Sequence, residues 1–235
     1  ETAQPSSLES STTWEHDPEN PVPTVSGNVT GFYEWSVMPD DLNGAYVPQR
    51  ARMRSLIPDG PLHQKEREST VVRNDRKPGT PALLADRTDV NVFQTEPLES
   101  NIEVTGPIMV NLWISSDAVD TDFTAKLVDV HADGKAVSLC DGIIRARYRE
   151  SLSEPRAILP GEPTRYTIEL ASTAHRFAAG HRLRLEVSSS NFPRFAPNPN
   201  TGGPMASEAE AHPAVQHVLH DSDHPSELTI WVLPA

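Results

Sequence analysis

Hydrophobic and polar residues alternate regularly in one long stretch of the chain. From residue 102 to 114 the even positions are apolar or glycine: Ile102, Val104, Gly106, Ile108, Val110, Leu112 and Ile114. The odd positions between them are mixed. A period of two is typical of a β-strand that buries one face. Gly106 followed by Pro107 predicts a bulge or a break within that strand.

Shorter runs of the same kind predict six further strands. They lie at residues 90–94, 123–130, 136–147, 164–170, 182–188 and 228–232. Asp133 followed by Gly134 predicts a tight turn between two of them. One helix is predicted over 207–219, although Pro213 interrupts it. No period is sustained over 27–85, which we interpret as a long irregular insertion; such segments tend to be functional or disordered.

The number and spacing of the elements predict the fold class. Seven or eight short strands with polar turns, and no strand–helix alternation, indicate an all-β antiparallel sandwich, most simply a jelly roll. The 22 prolines against 12 glycines agree, because proline disfavours long helices. Residues 1–13 are predicted to be a linker or arm, and 14–235 a single jelly-roll domain. The chain begins with Glu1, so we interpret it as a fragment.

Charge and cysteine content exclude several function classes. The net charge is −13, from 20 basic and 33 acidic residues, which argues against a nucleic-acid partner. No run approaches the roughly 18 apolar residues that cross a bilayer, so no membrane partner is predicted. The single cysteine, Cys140, excludes an internal disulfide and lies in a strand pattern as a small apolar residue. The compartment stays undecided, although a lone cysteine suits a reducing cytosol.

Sequence motifs for catalysis are absent. The chain has no Gly-x-Ser-x-Gly elbow, no zinc-protease helix motif, no P-loop and no dinucleotide fingerprint. We therefore predict no catalytic residue and no cofactor in this chain.

Three carboxylates fall within six positions, at Asp117, Asp120 and Asp122. Carboxylate oxygens at this spacing could ligate a hard cation such as calcium. We favour the alternative, in which Asp122 pairs with Arg145 or Arg147 on a neighbouring strand while the other two aspartates cap a turn. No metal site is predicted, and these aspartates are the candidates if one exists.

A second polar group lies near the end of the chain. Its members are His212, His217, His220, His224, Asp221 and Asp223. Imidazoles this close in sequence could bind a transition metal. Their spacing does not place them together on one helical face, and His224 precedes a proline and must be extended. We favour a polar connection before the last strand.

A loop rich in Asn, Pro and Gly follows the strand at 182–188. Such a loop holds backbone and amide groups in fixed geometry, which suits a docking surface or the rim of a ligand site. An ordinary rigid turn explains the composition equally well, so both interpretations stay open here.

Several blocks of sequence resemble one protein family. They read SDAVDTDFTAKLVDV at 116–130, LCDGIIRARYRE at 139–150, GHR at 180–182 and HPS at 224–226, together with the loop at 188–203 and DPENPVPT at 17–24. These blocks are similar to the C-terminal domain of the cocaine-esterase and X-prolyl dipeptidyl-peptidase family of serine hydrolases. The resemblance runs from about residue 14 to the end of the chain.

The resemblance implies a galactose-binding-like jelly roll that packs on and stabilises the α/β-hydrolase core of the same polypeptide. In that family the catalytic residues come from the core, so the parent protein would be a serine esterase or dipeptidyl-peptidase. A segment following Gly27 would approach the acyl pocket, which makes Phe32, Tyr33 and Trp35 candidates for its wall. The candidate interface residues are Trp113, Asn191, Phe192, Pro193, Arg194, Phe195, Asn198, Asn200, Thr201 and Gly202.

Two other expectations follow from the same fold. A free-standing carbohydrate- or ligand-binding module would use aromatic side chains to stack on a ligand, namely Trp14, Phe32, Tyr33 and Trp35. A domain separated from its core should also expose an apolar face, with Trp113, Phe192 and Phe195 as candidates. We expect such a domain to form a homodimer through that face.

Overall fold

Two antiparallel β-sheets pack face to face in the computed structural model, which describes residues 11–24, 32–33, 55–57, 84–203 and 210–234. The predicted β-sandwich is therefore confirmed. The galactose-binding-like label stays a prediction, as does the division into an arm and one domain. Within the described ranges, no helix has the length and apolar composition that crossing a membrane requires.

The first sheet is built around one long strand, β5 (Ile102–Ser116). Strand β8 (Thr164–Phe177) pairs along one side of it. The other side is shared by β10 (Ala214–Leu219) and the short β11 (Glu227–Thr229). Strand β1 (Ser11–His16) pairs with β10 and forms the edge of the sheet. Residues from both ends of the described chain therefore meet in this sheet.

The second sheet has the order β4–β9–β6–β7. Its strands are β4 (Asn91–Gln94), β6 (Asp122–Val130), β7 (Ala136–Arg145) and β9 (Arg182–Ser188). The predicted turn at Asp133 and Gly134 joins β6 to β7, with Gly134 at a φ of +84°.

A separate two-stranded ladder joins β2 (Phe32–Tyr33) to β3 (Ser55–Ile57). Single 3-10 turns lie at Leu84–Asp86 and Ala146–Tyr148.

Alternate residues of the strands fill the space between the sheets. Leu112 and Ile114 from the first sheet and Phe123 and Leu127 from the second are at most 2% exposed. The rings of Phe123 and Tyr166 lie 4.7 Å apart across the two layers. The period of two seen in the sequence therefore reports the inward face of each strand.

The two sheets approach closely where β7 crosses β8. A methyl group added at Gly142 would overlap the carbonyl oxygen of Glu169 and lie 3.1 Å from the Ile168 side chain. Ala125 lies opposite Gly142 on β6, so two small residues are paired at this point. No side chain fits between the layers at position 142.

Strand β6 is buried on both faces, since all nine of its residues are buried. On its outer face Lys126 lies between Asp141 on β7 and Glu186 on β9. Burial lowers the pKa of Lys126, and the two carboxylates oppose that effect. The loop that follows β9 covers part of this face, because Arg194 forms an ion pair with Asp141.

The observed strands match most of the predicted ones and correct others. The predicted bulge is present, with Gly106 at a φ of +116° and a register shift before Ile108. The helix predicted over 207–219 is wrong where described, because 214–219 form β10. The inward-facing positions of β10 include the polar Gln216, so this stretch lacks the regular apolar–polar alternation that predicts a strand. Strand β1 begins at Ser11, three residues before the predicted start of the domain at 14.

Candidate functional site

The loop that follows β9 is held by its asparagine side chains. Asn191 donates to Asp141 Oδ2 at 2.7 Å, and Asn200 donates to the carbonyl oxygen of His212 at 2.7 Å. Asn198 donates to both Asp120 and Asp122. All three asparagines are at most 5% exposed. The structure therefore places these predicted interface residues inside the domain, because buried carboxylates require donors.

Two of the clustered aspartates pair with arginines at the end of β7. Asp122 accepts two hydrogen bonds from Arg145, at 2.8 Å from Nε and 2.9 Å from Nη2. This contact raises the pKa of Arg145. Asp120 faces Arg147 instead, at 3.1 Å from its Nε, and also accepts from the backbone N–H of Arg147. Burial raises the pKa of Asp120, against the opposing effect of these donors.

The third aspartate of the cluster has a different role. Asp117 accepts a hydrogen bond from the backbone N–H of Val215 at 2.8 Å and so fixes the start of β10. Among the described residues, no three oxygens of this cluster lie close enough together to share an ion. The arrangement is that of structural ion pairs and a strand contact.

Arg147 also fixes the far end of the loop. Its Nη1 donates to the carbonyl oxygens of Gly202 and Gly203, at 3.1 and 3.2 Å. Gly202 lies against Val119, since a methyl group added at Gly202 would be 3.1 Å from Val119 Cγ2. The backbone N–H of Ile158 bonds to the carbonyl of Val119, which brings Leu159 alongside.

These contacts create an exposed apolar surface, which we call the loop end and define as Val119, Leu159, Thr201 and Gly202. Val119 is 40% exposed and Leu159 is 71% exposed. The carbonyl of Val119 accepts from the backbone N–H of Ile158, and the carbonyl of Leu159 accepts from the N–H of Glu162 in a local turn. The loop end is therefore a fixed apolar surface on an acidic protein.

The remaining predicted interface residues are half-buried. Phe192 exchanges backbone hydrogen bonds with Val22 and Thr24. The guanidinium of Arg194 lies 5.2 Å from the ring centre of Phe195. Pro193 follows Phe192 through a cis peptide bond. This part of the loop is fastened to the segment that leaves β1.

Trp113 lies on the outer face of the first sheet. Its ring meets that of His224 edge-on, with the ring centres 5.2 Å apart. The side chain is half-buried by this contact. Among the described residues, no hydrogen bond links Trp113 to the loop end.

The histidines near the end of the chain are separated rather than gathered. His217 bonds to Thr13 at 2.8 Å and His220 to Thr12 at 3.0 Å, both across the pairing of β1 with β10. His224 bonds to the carboxylate of Asp221. In the described part of the chain no three ligand atoms of this group converge on one point. They support strand pairing and a turn.

The aromatic residues expected to contact a ligand have different positions. Trp14 is 3% exposed and donates from Nε1 to Ser189 Oγ at 3.1 Å, so it cannot stack on a ligand. Phe32 and Tyr33 form strand β2, whose backbone alone is described. Trp35 lies outside the described residues.

Cys140 is buried in the core at 1% exposure, and burial raises its pKa to about 12. Its thiol is therefore inert at neutral pH, in agreement with the interpretation from sequence.

A groove opens between the two sheets along the edge formed by β4 and β9. Its volume is about 470 Å³. Apolar side chains form its floor, and the groove is lined by Phe93, Leu112, Leu183, Leu185, Val218 and Leu228, with Gln94, Thr95, His220, Ser226 and Glu227 at polar positions. No local sequence pattern indicates this groove, because its lining comes from strands far apart in the chain.

Comparison with known proteins gives a consistent result. The family model of the X-Pro dipeptidyl-peptidase C-terminal non-catalytic domain matches residues 6–229. Cocaine esterase of Rhodococcus sp. is 45% identical over 161 residues, which are 68% of this chain and 28% of that esterase. The chain thus spans little more than a quarter of the length of this curated relative.

Two solved structures are similar over nearly the whole chain. An aminopeptidase from a marine sediment Thaumarchaeota archaeon has a TM-score of 0.70 at 25% identity, covering 99% of this chain and 34% of that one. An α-amino acid ester hydrolase also has a TM-score of 0.70 at 25% identity, covering 97% of this chain and 33% of that one.

Proposed function

This chain belongs to the family of X-Pro dipeptidyl-peptidase C-terminal non-catalytic domains, and we propose that it packs on the α/β-hydrolase core of the same polypeptide and stabilises that core. The observation that carries the proposal is the match to the family over residues 6–229. The 45% identity to a cocaine esterase favours an ester as the substrate of the whole protein over an X-Pro amide. The nucleophile and its general base would then lie in the core.

We propose the loop end as part of the docking surface. Val119 and Leu159 expose apolar side chains, and the Asp120–Arg147 pair holds Gly202 against Val119. An apolar surface on rigid backbone is suited to binding a partner, since little conformational entropy is lost when it is covered. The buried asparagines support this surface from behind without contacting the partner.

The test measures association between this chain and the separately expressed catalytic region of the same protein. Wild-type chain should bind, and should raise both the hydrolysis of p-nitrophenyl acetate and the melting temperature of the catalytic region. Val119→Glu should weaken binding at least tenfold, because it buries a charge at the docking surface.

Val92→Glu is the matched control. Val92 is 37% exposed, close to the 40% of Val119, but lies on β4 away from the loop end. It should bind like wild type. Failure of the wild-type chain to bind would refute the accessory role. Equal binding by both variants would leave the role intact and refute the position of the surface.

We further propose that Phe32, Tyr33 and Trp35 contribute to the wall of the acyl pocket in the assembled hydrolase. The antiparallel pairing of Phe32–Tyr33 with Ser55–Ile57, in a two-stranded sheet separate from the other two, supports this, because it is a local element that is not part of the hydrogen-bonded sheets of the sandwich. In the whole enzyme Phe32→Ala should change the ratio of kcat/KM for bulky and small acyl esters. An unchanged ratio would remove Phe32 from the pocket.

A second candidate is a free-standing ligand-binding module. The groove of about 470 Å³ favours a small, mainly apolar ligand with one polar end rather than a sugar, since its floor is aliphatic and aromatic. Saturable binding of such a ligand by the chain, lost in Leu183→Glu, would support this role. The predicted homodimer would form through the face that docks on the core, with Trp113, Phe192 and Phe195 as candidates, and light scattering distinguishes it from ligand binding in the groove.

A further inference from the structure

Four ionisable side chains gather at one end of the sandwich, away from the loop end. Asp129 lies near the end of β6 and is 2% exposed. His131 follows that strand directly, and His181 comes immediately before β9. His175 reaches the same place from β8 in the other sheet. The group therefore joins both layers of the fold.

The two oxygens of Asp129 each face an imidazole nitrogen. Oδ1 lies 2.9 Å from Nδ1 of His181, and Oδ2 lies 2.9 Å from Nε2 of His175. Nε2 of His131 is 3.7 Å from the same Oδ2. Ligand atoms of Asp129, His131 and His181 all lie within 4.8 Å of one another.

From this geometry we propose that Asp129, His131 and His181 bind one divalent transition-metal ion of the zinc class. Two imidazole nitrogens and one carboxylate oxygen suit zinc and its neighbours rather than calcium or magnesium. Bonds of about 2.0–2.2 Å require ligand atoms that are about 2.9–3.5 Å apart. His181 Nδ1 lies 2.9 Å from Oδ1 of Asp129, and His131 Nε2 lies 3.7 Å from the other oxygen, Oδ2. Whichever oxygen binds the ion, a small movement of the ligands is therefore needed to bring all three into its coordination shell.

The ligands differ in how firmly they are held. His181 is fixed by its backbone, which bonds to Ala178 and Leu98 on either side. The side chain of His131 is 34% exposed and stacks on His181, with ring centres 4.3 Å apart. Binding requires this more exposed ring to turn out of the stack toward the ion. The same exposure gives the metal a route in and leaves room for a water ligand.

His175 acts as a positioning residue. It donates from Nε2 to Asp129, and its ring meets Phe177 edge-on at 4.8 Å between ring centres. A donor on the outer side of a ligating carboxylate fixes the orientation of that carboxylate, and losing such a contact typically costs 10–100-fold in metal affinity. The proposed site thus has three side chains that bind the ion and one side chain that orients the carboxylate of Asp129.

The site is tested by titrating the chelator-treated chain with zinc chloride in a calorimeter and with cobalt chloride in a spectrophotometer. We expect one equivalent of zinc to bind with a micromolar or lower Kd, and cobalt to give visible absorption bands. His131→Ala and His181→Ala should each weaken zinc binding at least 100-fold, and His175→Ala by 10–100-fold.

His217→Ala is the control, since His217 contacts Thr13 on β1 and lies in a different polar group. It should bind zinc like wild type. No binding by the wild-type chain would overturn the proposal, and so would unchanged binding by the His131 variant. If a variant fails to fold by circular dichroism, His131→Asn and the cobalt spectrum of the wild type decide the question. Neither result depends on the docking role proposed above.

Discussion

Replacing Gly142 with alanine tests the close approach of the two sheets. The added methyl group would overlap the carbonyl oxygen of Glu169, and backbone cannot move aside as a flexible side chain would. Strand β7 must therefore separate from β8, or both must shift. The φ angle of Gly142 lies outside the left-handed region, so backbone strain does not contribute.

The expected loss of stability follows from two opposing effects. Overpacking of a dense core costs typically 1–3 kcal/mol, and the upper value applies because the obstacle is backbone. Alanine also restricts the unfolded chain, which returns roughly 0.4–1 kcal/mol. The net loss is about 2 kcal/mol, which lowers the Tm of a domain of this size by roughly 4–8 °C.

Thermal and urea unfolding of Gly142→Ala measure this loss, with Gly134→Ala as the control. Gly134 has a φ of +84° and no neighbour within 4 Å of an added methyl group, so its variant reports strain alone, about 1 kcal/mol. A Gly142 variant as stable as wild type would refute the close approach. A larger loss in the Gly134 variant would show that turn conformation, and not contact between layers, limits stability.

Three further predictions concern buried ionisable groups. Because burial raises the pKa of Cys140 to about 12, iodoacetamide at pH 8 should label it only after unfolding, as mass spectrometry would show. Asp122→Ala leaves the Arg145 guanidinium without the carboxylate that pairs with it and removes one of the two carboxylates that accept from Asn198. It should cost about 3 kcal/mol or more in urea unfolding; a loss below 1 kcal/mol would contradict the pairing. Burial lowers the pKa of His16 below its usual value of 6.5. Below about pH 6.5 the unfolded chain therefore binds a proton at this residue more readily than the folded chain does, and the free energy of unfolding decreases as the pH falls. His16→Gln should flatten that part of the pH dependence, and an unchanged slope would assign it elsewhere.

Local patterns predicted the strands whose inward positions are all apolar. Strand β5 alternates from Ile102 to Ile114, and the turn between β6 and β7 is indicated in the sequence by Asp133 and Gly134. Strand β10 was not predicted because its inward-facing Gln216 is polar; this side chain donates to Thr121, which is far away in the chain. Strand β1 is defined by pairing with β10 rather than by its own composition. Strands β1 and β10 therefore depend on pairing between distant parts of the chain, which local sequence patterns do not indicate.

The site residues show the same division. The pairing of Asp122 with an arginine was foreseeable from the chemistry of a carboxylate beside a strand bearing two arginines. The loop asparagines were predicted as candidate interface residues, with an ordinary rigid turn as the alternative. No local sequence pattern indicates that Asn191 and Asn198 donate to buried carboxylates. Asp129 and His181 are 52 residues apart in the sequence, and His175 comes from the other sheet. Only the packed fold brings these side chains together.

The pairing of β1 with β10 has a consequence for synthesis on the ribosome. Ser11 lies opposite Leu219, so β1 is synthesised well before β10, the strand with which it pairs. At roughly 5–20 residues per second this interval is about 10–40 s. From the synthesis of β5 until that of β10 and β11, the side of β5 that these strands later occupy is without its partners. The nascent domain therefore carries an open sheet edge until β10 and β11 have been synthesised, and during this period the edge can pair with other chains unless a chaperone covers it.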